Sequence, residues 1–351
     1  MEKNITIGMD LGDKSHSICV LQEAEKIMEC ALPNTMKAVE KFFNKYPGAK
    51  VIIEAGTHSP WVSRTLAKNG FNVLVGNARK LRAIWDSPRK SDMRDAEMLA
   101  RIGRLDPHLL HPIQHRGEQS QLDLELIRGR EVIVSARTKM VNHVRGTVKA
   151  MGQRIPKCST DCFHRKAREA LKGNQLLAVE EPVLKMIELM TEKIHELDKR
   201  INVMARETYP ETGCLQQVSG VGPLTSLAYV LILEDGKRFQ KSRDVGAFLG
   251  MTPRRDQSGE TDKQLRISKS GNNELRRLLV GCAHYILGPF GPDCDLHRFG
   301  QRLMLRGGKI AKRRAVVAVA RKLAVLLHRL WVSGAIYDPL RNTKLLKHTA
   351  A

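Results

Sequence analysis

Two aspartates stand three residues apart, Asp92 and Asp95, in the run K-S-D-M-R-D-A from Lys90 to Ala96 at the head of an expected helix. Residues at i and i+3 are neighbours on a helix surface. Two carboxylates held side by side repel unless a cation lies between them or one takes up a proton. A first helical turn also favours acids through the helix dipole alone, and Arg89, Lys90 and Arg94 are at hand to neutralise them. What turns the pair toward chemistry is the N-terminal stretch, where two further acids close apolar runs. Asp10 follows the alternating run Asn4–Met9, and Glu54 follows Val51-Ile52-Ile53. Each has a plain structural reading, Asp10 as a turn residue before Gly12 and Glu54 as a capping neighbour of Gly56. Together, four carboxylates at one point would be unstable without a cation. Mg²⁺ accepts such hard oxygen ligands, and a pair of ions can activate an attacking oxygen while stabilising the leaving one in phosphodiester cleavage; Mn²⁺ suits the same ligands.

The elements that must position these acids follow from hydrophobic period. Asn4–Met9, His16–Gln22 and Ile27–Leu32 read as a three-strand meander, Thr35–Tyr46 as a helix, and Val51–Ile53 as a buried strand. A helix from about Ser59, a strand Phe71–Val75 and the helix of Asp92 complete the order β-β-β-α-β-α-β-α. This is the order of a ribonuclease H-like (RuvC-like) α/β domain with a mixed sheet, in which acids at strand ends converge with the helix that crosses them. Asp10-Leu11-Gly12 also resembles the phosphate loop of actin-like ATPases, but Asp13 and Lys14 stand where small hydroxyl residues are wanted.

Charge narrows the partners. The 351 residues hold 59 Lys+Arg against 37 Asp+Glu, a formal balance of +22, which points to a polyanion and above all to nucleic acid. No apolar run approaches a membrane span and Met1–Asn4 has no signal-peptide character, so a cytoplasmic protein is expected. Seven scattered cysteines make no disulfide framework. Cys158, Cys162 and His164, with Cys294 and His297, are a metal candidate whose spacing matches no common zinc pattern.

With G-M-D-L at Asp10, I-E-A-G-T at Glu54 and K-S-D-M-R-D-A at Asp92 and Asp95, the chain resembles, over nearly its whole length, the DEDD (RuvC-like) transposases of the insertion sequence 110 / 1111 family, the bridge-RNA-guided recombinases. The resemblance implies that Asp10, Glu54, Asp92 and Asp95 form a metal site. Three domains are expected: a RuvC-like domain over 1–112, a helical coiled-coil module over 113–210, and a mostly helical transposase domain over 211–351.

In the middle module Leu126, Ile133 and Met140 recur every seven residues, and Val183, Ile187, Met190, Ile194, Leu197, Ile201 and Met204 form a coiled-coil seam behind Pro182, taken as a first-turn residue. Arg130, Arg137 and Arg145 decorate the first of these helices, as a solvated face or as RNA contacts; the resemblance favours RNA and protomer pairing. In the third module, Gly220 and Gly222 before Pro223 resemble half of a helix-hairpin-helix whose free amides could hold a phosphate. Arg254, Arg255, Lys269 and Arg276, among small residues, could clamp phosphate oxygens. The family carries the element P-R-x-x-x-S-G followed by S-K-x-G and L-R, and its nucleophilic serine corresponds to Ser258, with Ser268 and Ser270 as competitors. The segment Arg302–His348 has Asp338 as its only acid; Ala311–Leu330 reads as one helix bearing Arg313 and Arg314, expected to add a cationic surface.

The chain therefore reads as a transposase that cleaves and rejoins DNA under a guide RNA, using a DEDD metal site and a serine. By the family arrangement it works as a homodimer or homotetramer with the acids of one protomer beside the serine of another. A metal-only junction resolvase or nuclease, and a non-enzymatic nucleic-acid binder, are the alternatives.

Overall fold

The computed structural model describes residues 4–81 and 91–342, and divides the chain into two compact units, 1–116 and 117–351. Arg89 and Lys90, expected beside the aspartates, and the basic tail past Asn342 lie outside the described residues.

The first unit is built on a five-stranded mixed sheet of order β3-β2-β1-β4-β5, comprising β1 (Ile5–Asp10), β2 (Ser15–Gln22), β3 (Glu25–Pro33), β4 (Lys50–Glu54) and β5 (Asn72–Gly76). β1, β2 and β3 pair antiparallel, whereas β1–β4 and β4–β5 are parallel. Central parallel strands are covered on both faces, which is why Val51-Ile52-Ile53 is apolar throughout. Helices α1 (Met36–Phe43) and α2 (Ser59–Lys68) cover one face over Ile7, Met9, Ile18, Val51 and Ile53. Helix α3 (Asp92–Leu105) crosses the other, over Gly8, Cys19, Leu21 and Ile52. Thr35 caps α1 by accepting from the Ala38 amide, and Ser91 caps α3 by accepting from the Arg94 amide.

The second unit starts with two 33-residue helices, α4 (Glu118–Ala150) and α6 (Gln175–Glu207), which pack on each other with the short α5 (Phe163–Ala170) between them in sequence. Then follow α7 (Thr212–Gln216), α8 (Pro223–Leu233), α9 (Asp244–Phe248), the hairpin β6 (Pro253–Ser258) and β7 (Thr261–Ile267), and α10 (Asn273–Ile286), α11 (Asp295–Met304) and α12 (Gly308–Ser333). Val141, Val144 and Val148 of α4 share a small core with Phe163, Leu184 and Ile187. Leu124, Ile127, Ile201 and Ala205, at the other end of the pair, belong instead to the large core around α8 and α12. The segment 113–210 thus contributes side chains to two cores.

Three details differ from expectation. Helix α6 starts at Gln175, capped by Asn174, so Pro182 lies inside it; Pro182 is exposed, and so is Ala178, the residue whose carbonyl loses its donor, which leaves that group to water. The buried face of α4 is Leu124, Ile127, Arg137, Val141, Val144 and Val148, with Leu126, Ile133 and Met140 only half-buried beside it and Met151 exposed. The stretch around Ser258, for which the sequence predicts no secondary structure, is an antiparallel hairpin.

Candidate active site

Strand register brings the first two acids together. β1 and β4 run parallel with Met9 opposite Ile53, so Asp10 and Glu54 are the next residues of adjacent strands at the same edge. Side chains alternate along a strand. Met9 and Ile53 point into the core under α1 and α2. Asp10 and Glu54 therefore point to the opposite face, where Gly8 and Ile52 meet α3.

Helix α3 runs against the strand direction. Near its end, the Gly103 carbonyl accepts from Lys50 Nζ at 2.8 Å, and Arg104 donates to the Asn4 carbonyl at 3.1 Å, both at the N-terminal ends of the strands. Its first turn, with Asp92 and Asp95, thus lies at the edge that holds Asp10 and Glu54. Glycine permits the closeness: a Cβ on Gly8 would stand 2.0 Å from the Ala96 carbonyl oxygen, and one on Gly103 would stand 2.4 Å from Ile52. Asp95 is 8 % exposed, Asp10 and Glu54 are half-buried, and Asp92 is open to solvent.

The convergence is one of backbone positions and side-chain direction. Among the described residues, no three His, Cys, Asp or Glu side chains lie close enough as they stand to hold a metal ion. That holds also for Cys158, Cys162 and His164: Cys162 lies 3.3 Å from the Ser159 hydroxyl, and His164 faces Glu188 at 3.5 Å. Cys294 serves as the cap of α11, accepting from the His297 amide. What fits a metal at the sheet edge is the donor set, four hard carboxylates.

A histidine cluster flanks this edge on the other face, a feature sequence reasoning missed. His16 is fully buried beside His58 and Trp61, and burial lowers its pKa below the ordinary 6.5. His58 lies 3.4 Å from Asp13. The only signal was a polar residue in register with Ile18 and Val20.

In the second unit Ser258 pairs with Thr261 at the tip of the exposed hairpin, ahead of Gly259 at φ +53°. The hairpin is rooted at a backbone crossing: a Cβ on Gly271 would stand 1.9 Å from the Phe248 carbonyl, and one on Gly250 would stand 2.6 Å from the Ser270 amide. Lys269, at φ +55°, donates its amide to the Gly250 carbonyl. Arg276 is 8 % exposed and gives its guanidinium to the Leu249 carbonyl at 2.8 Å and to Asn273 at 2.9 Å. It holds the crossing together. Arg255 is turned to Asp262 across the hairpin and holds that carboxyl below its usual range. Arg254, Arg313 and Arg314 are exposed.

The arginines of α4 also have partners within the chain. Arg137 is 7 % exposed and donates to Asp161, Thr191 and Thr160. Arg130 grips Asp198 with both prongs at 2.5 and 3.2 Å, and Arg145 reaches the Ile155 carbonyl and lies 4.9 Å over the Phe163 ring. All three tie α4 to its neighbours, because a helical pair of this length places one side of each helix in its own interface. Arg130 does share an open cleft of about 650 Å³ with Gly220, Gly222, Arg277 and Tyr285.

One family model, a transposase described by the acid motif DEDD and the insertion sequence IS110, matches residues 7–152, and a second, the transposase IS116/IS110/IS902 family, matches residues 213–292. The chain belongs to this transposase family. It is 26 % identical to the transposase for insertion sequence element IS1328 of Yersinia enterocolitica, with 88 % of each chain covered. It is 24 % identical to the transposase for IS1111A of Coxiella burnetii over 94 % of this chain and 90 % of that one. A pilin gene-inverting protein of Moraxella lacunata is 25 % identical over 71 % of this chain and 68 % of its own length. The transposase is thus an enzyme that recombines DNA, which sets aside the non-enzymatic reading. No described helix is long and apolar enough to cross a membrane.

Proposed function

We propose that the transposase cuts and rejoins DNA strands under the direction of a structured guide RNA, with Asp10, Glu54, Asp92 and Asp95 holding two Mg²⁺ ions and Ser258 as nucleophile. The meeting of the β1 and β4 strand ends with the first turn of α3 on one face carries this reading. The sheet order, three antiparallel strands continued by two parallel ones, supports a ribonuclease H-like, RuvC-like domain. Bound divalent ions would supply charge neutralisation at phosphorus and a lowered pKa for the attacking oxygen. The chain supplies position. Asp95 is fixed by a capped, buried helical turn, and the Ser258 hydroxyl is offered at a hairpin tip that can enter a groove. Attack forms a Ser258 Oγ–phosphorus ester and releases a sugar hydroxyl that carries off the proton. Attack by another strand's hydroxyl restores the serine and completes rejoining. The working unit is a homodimer or homotetramer.

The test is cleavage of labelled DNA by Asp10→Asn and Asp95→Asn. Loss of more than about a hundredfold in rate, worth roughly 2.7 kcal/mol of barrier, is expected with DNA affinity unchanged. Full-rate cleavage by both variants would remove the metal site.

A further inference from the structure

The hairpin formed by α11 and α12 ends in a tip with an unusual composition. Between Arg302 and Arg314 there are six cations and no acid. The two helices pack on each other as far as Gly300, where a Cβ would stand 2.9 Å from Val319, and Lys322 lies 3.9 Å over the Phe299 ring. Beyond that point the structure projects: every residue from Leu305 to Arg314 is exposed except the half-buried Ala311. Gly307 and Gly308, both left-handed at φ +80° and +76°, make the reversal, and on either side of them Leu305 is 84 % and Ile310 is 67 % exposed.

Two features have no role among the described residues. Exposed aliphatic residues at a protruding tip lose the solvation benefit that would bury them in a core. Lys309 lies in the first turn of α12 and Lys312 and Arg313 in the second; the first turn has no acid and no capping side chain, although a cation at a helix N-terminus opposes its dipole. A polyanion relieves the second feature, and insertion between stacked bases relieves the first.

We infer that the α11–α12 tip is a DNA wedge: Leu305 and Ile310 enter a base step from the groove while Arg306, Lys309 and Arg313 hold the phosphates on both sides. Apolar side chains flanked by cations unstack and kink duplexes in this way. The proposal rests on the reading that the chain acts on DNA. It adds a site of duplex distortion away from the residues assigned to strand cleavage, one that would open base pairs for exchange or for pairing with RNA.

The experiment uses the full-length protein and a duplex carrying 2-aminopurine at successive positions. Wild type is expected to raise the fluorescence at one or two adjacent positions. Leu305→Ser/Ile310→Ser should abolish the rise while keeping the slope of log K against log salt. Arg306→Gln/Lys309→Gln/Arg313→Gln should flatten that slope by about 2.7. All five positions are exposed, and matching thermal melts confirm that the variants fold. Fluorescence that stays flat in wild type bound to DNA, or that rises equally in the Leu305/Ile310 variant, overturns the wedge and leaves the transposase reading intact. Absence of any DNA binding overturns that reading instead. Sedimentation with phosphatidylserine vesicles that is lost in the Leu305/Ile310 variant, with base stacking unaffected, would assign the tip to a membrane and refute the proposal.

Discussion

Gly8 of β1 lies directly under Ala96 of α3, so close that a β-carbon on Gly8 would stand 2.0 Å from the Ala96 carbonyl oxygen and 2.6 Å from the Ala100 amide. Both are backbone atoms, which no rotamer change can move aside. The contact sets the height of the helix over the sheet, and with it the distance from Asp95 to Asp10.

Gly8→Ala should therefore lift α3 and cost roughly 1–3 kcal/mol in a thermal or urea melt. Cleavage should fall further than the loss of folded protein explains, because the acids would no longer share one edge. A variant with wild-type stability and wild-type cleavage would show that α3 does not position the site.

Ser258→Ala should fold normally, since its side chain is exposed and makes no hydrogen bond among the described residues. It should yield no protein–DNA adduct on denaturing gels and no recombinant product. An adduct that persists and maps by mass spectrometry to Ser268 or Ser270, whose hydroxyls lie 3.0 Å apart, would move the nucleophile. Clean strand cleavage with no adduct in wild type would favour a metal-only nuclease.

Arg137→Gln should act on stability and not on RNA. Losing the buried fork to Asp161, Thr191 and Thr160 should cost about 1–3 kcal/mol, read as a lowered unfolding midpoint, while RNA affinity per folded molecule holds. The exposed Lys139, Lys149 and Arg154 are the better test of a guide-RNA surface. Changing all three to Gln should lower the salt slope of RNA binding by about 2, and an unchanged slope in filter binding would leave that surface merely solvated.

His16 gives a pH dependence. Burial first, then the neighbouring His58, lowers its folded pKa below the ordinary 6.5, so between that depressed value and 6.5 the unfolded chain binds more protons. Stability contributed by the neutral ring is complete above about pH 6.5 and is lost as pH falls through this window. His16→Phe should flatten the curve of unfolding midpoint against pH there. An equally steep curve in the variant would place the acid sensitivity elsewhere, with His115, also lowered by burial, as the next residue to change.

The sequence by itself determined the composition of the sheet edge. Apolar period located β1, β4 and α3 because these segments are buried on one or both faces, and burial is what writes period into a sequence. It therefore also placed Asp10, Glu54 and the Asp92/Asp95 turn at element ends, and the +22 balance pointed to nucleic acid. Tertiary structure alone decided which charges face outward. Arg130, Arg137, Arg145 and Arg276 look like Lys139 or Arg254 in a linear chain, since a guanidinium carries the same charge whether it meets a phosphate or a carbonyl. The packing around α4 gives Arg130, Arg137 and Arg145 partners within the chain, the crossing of Gly250 and Gly271 does so for Arg276, and Lys139 and Arg254 are left to solvent. The hairpin of Ser258 was hidden for a related reason: exposed on both faces, it has no alternation to read, and its pairing is held by backbone hydrogen bonds that any sequence can make.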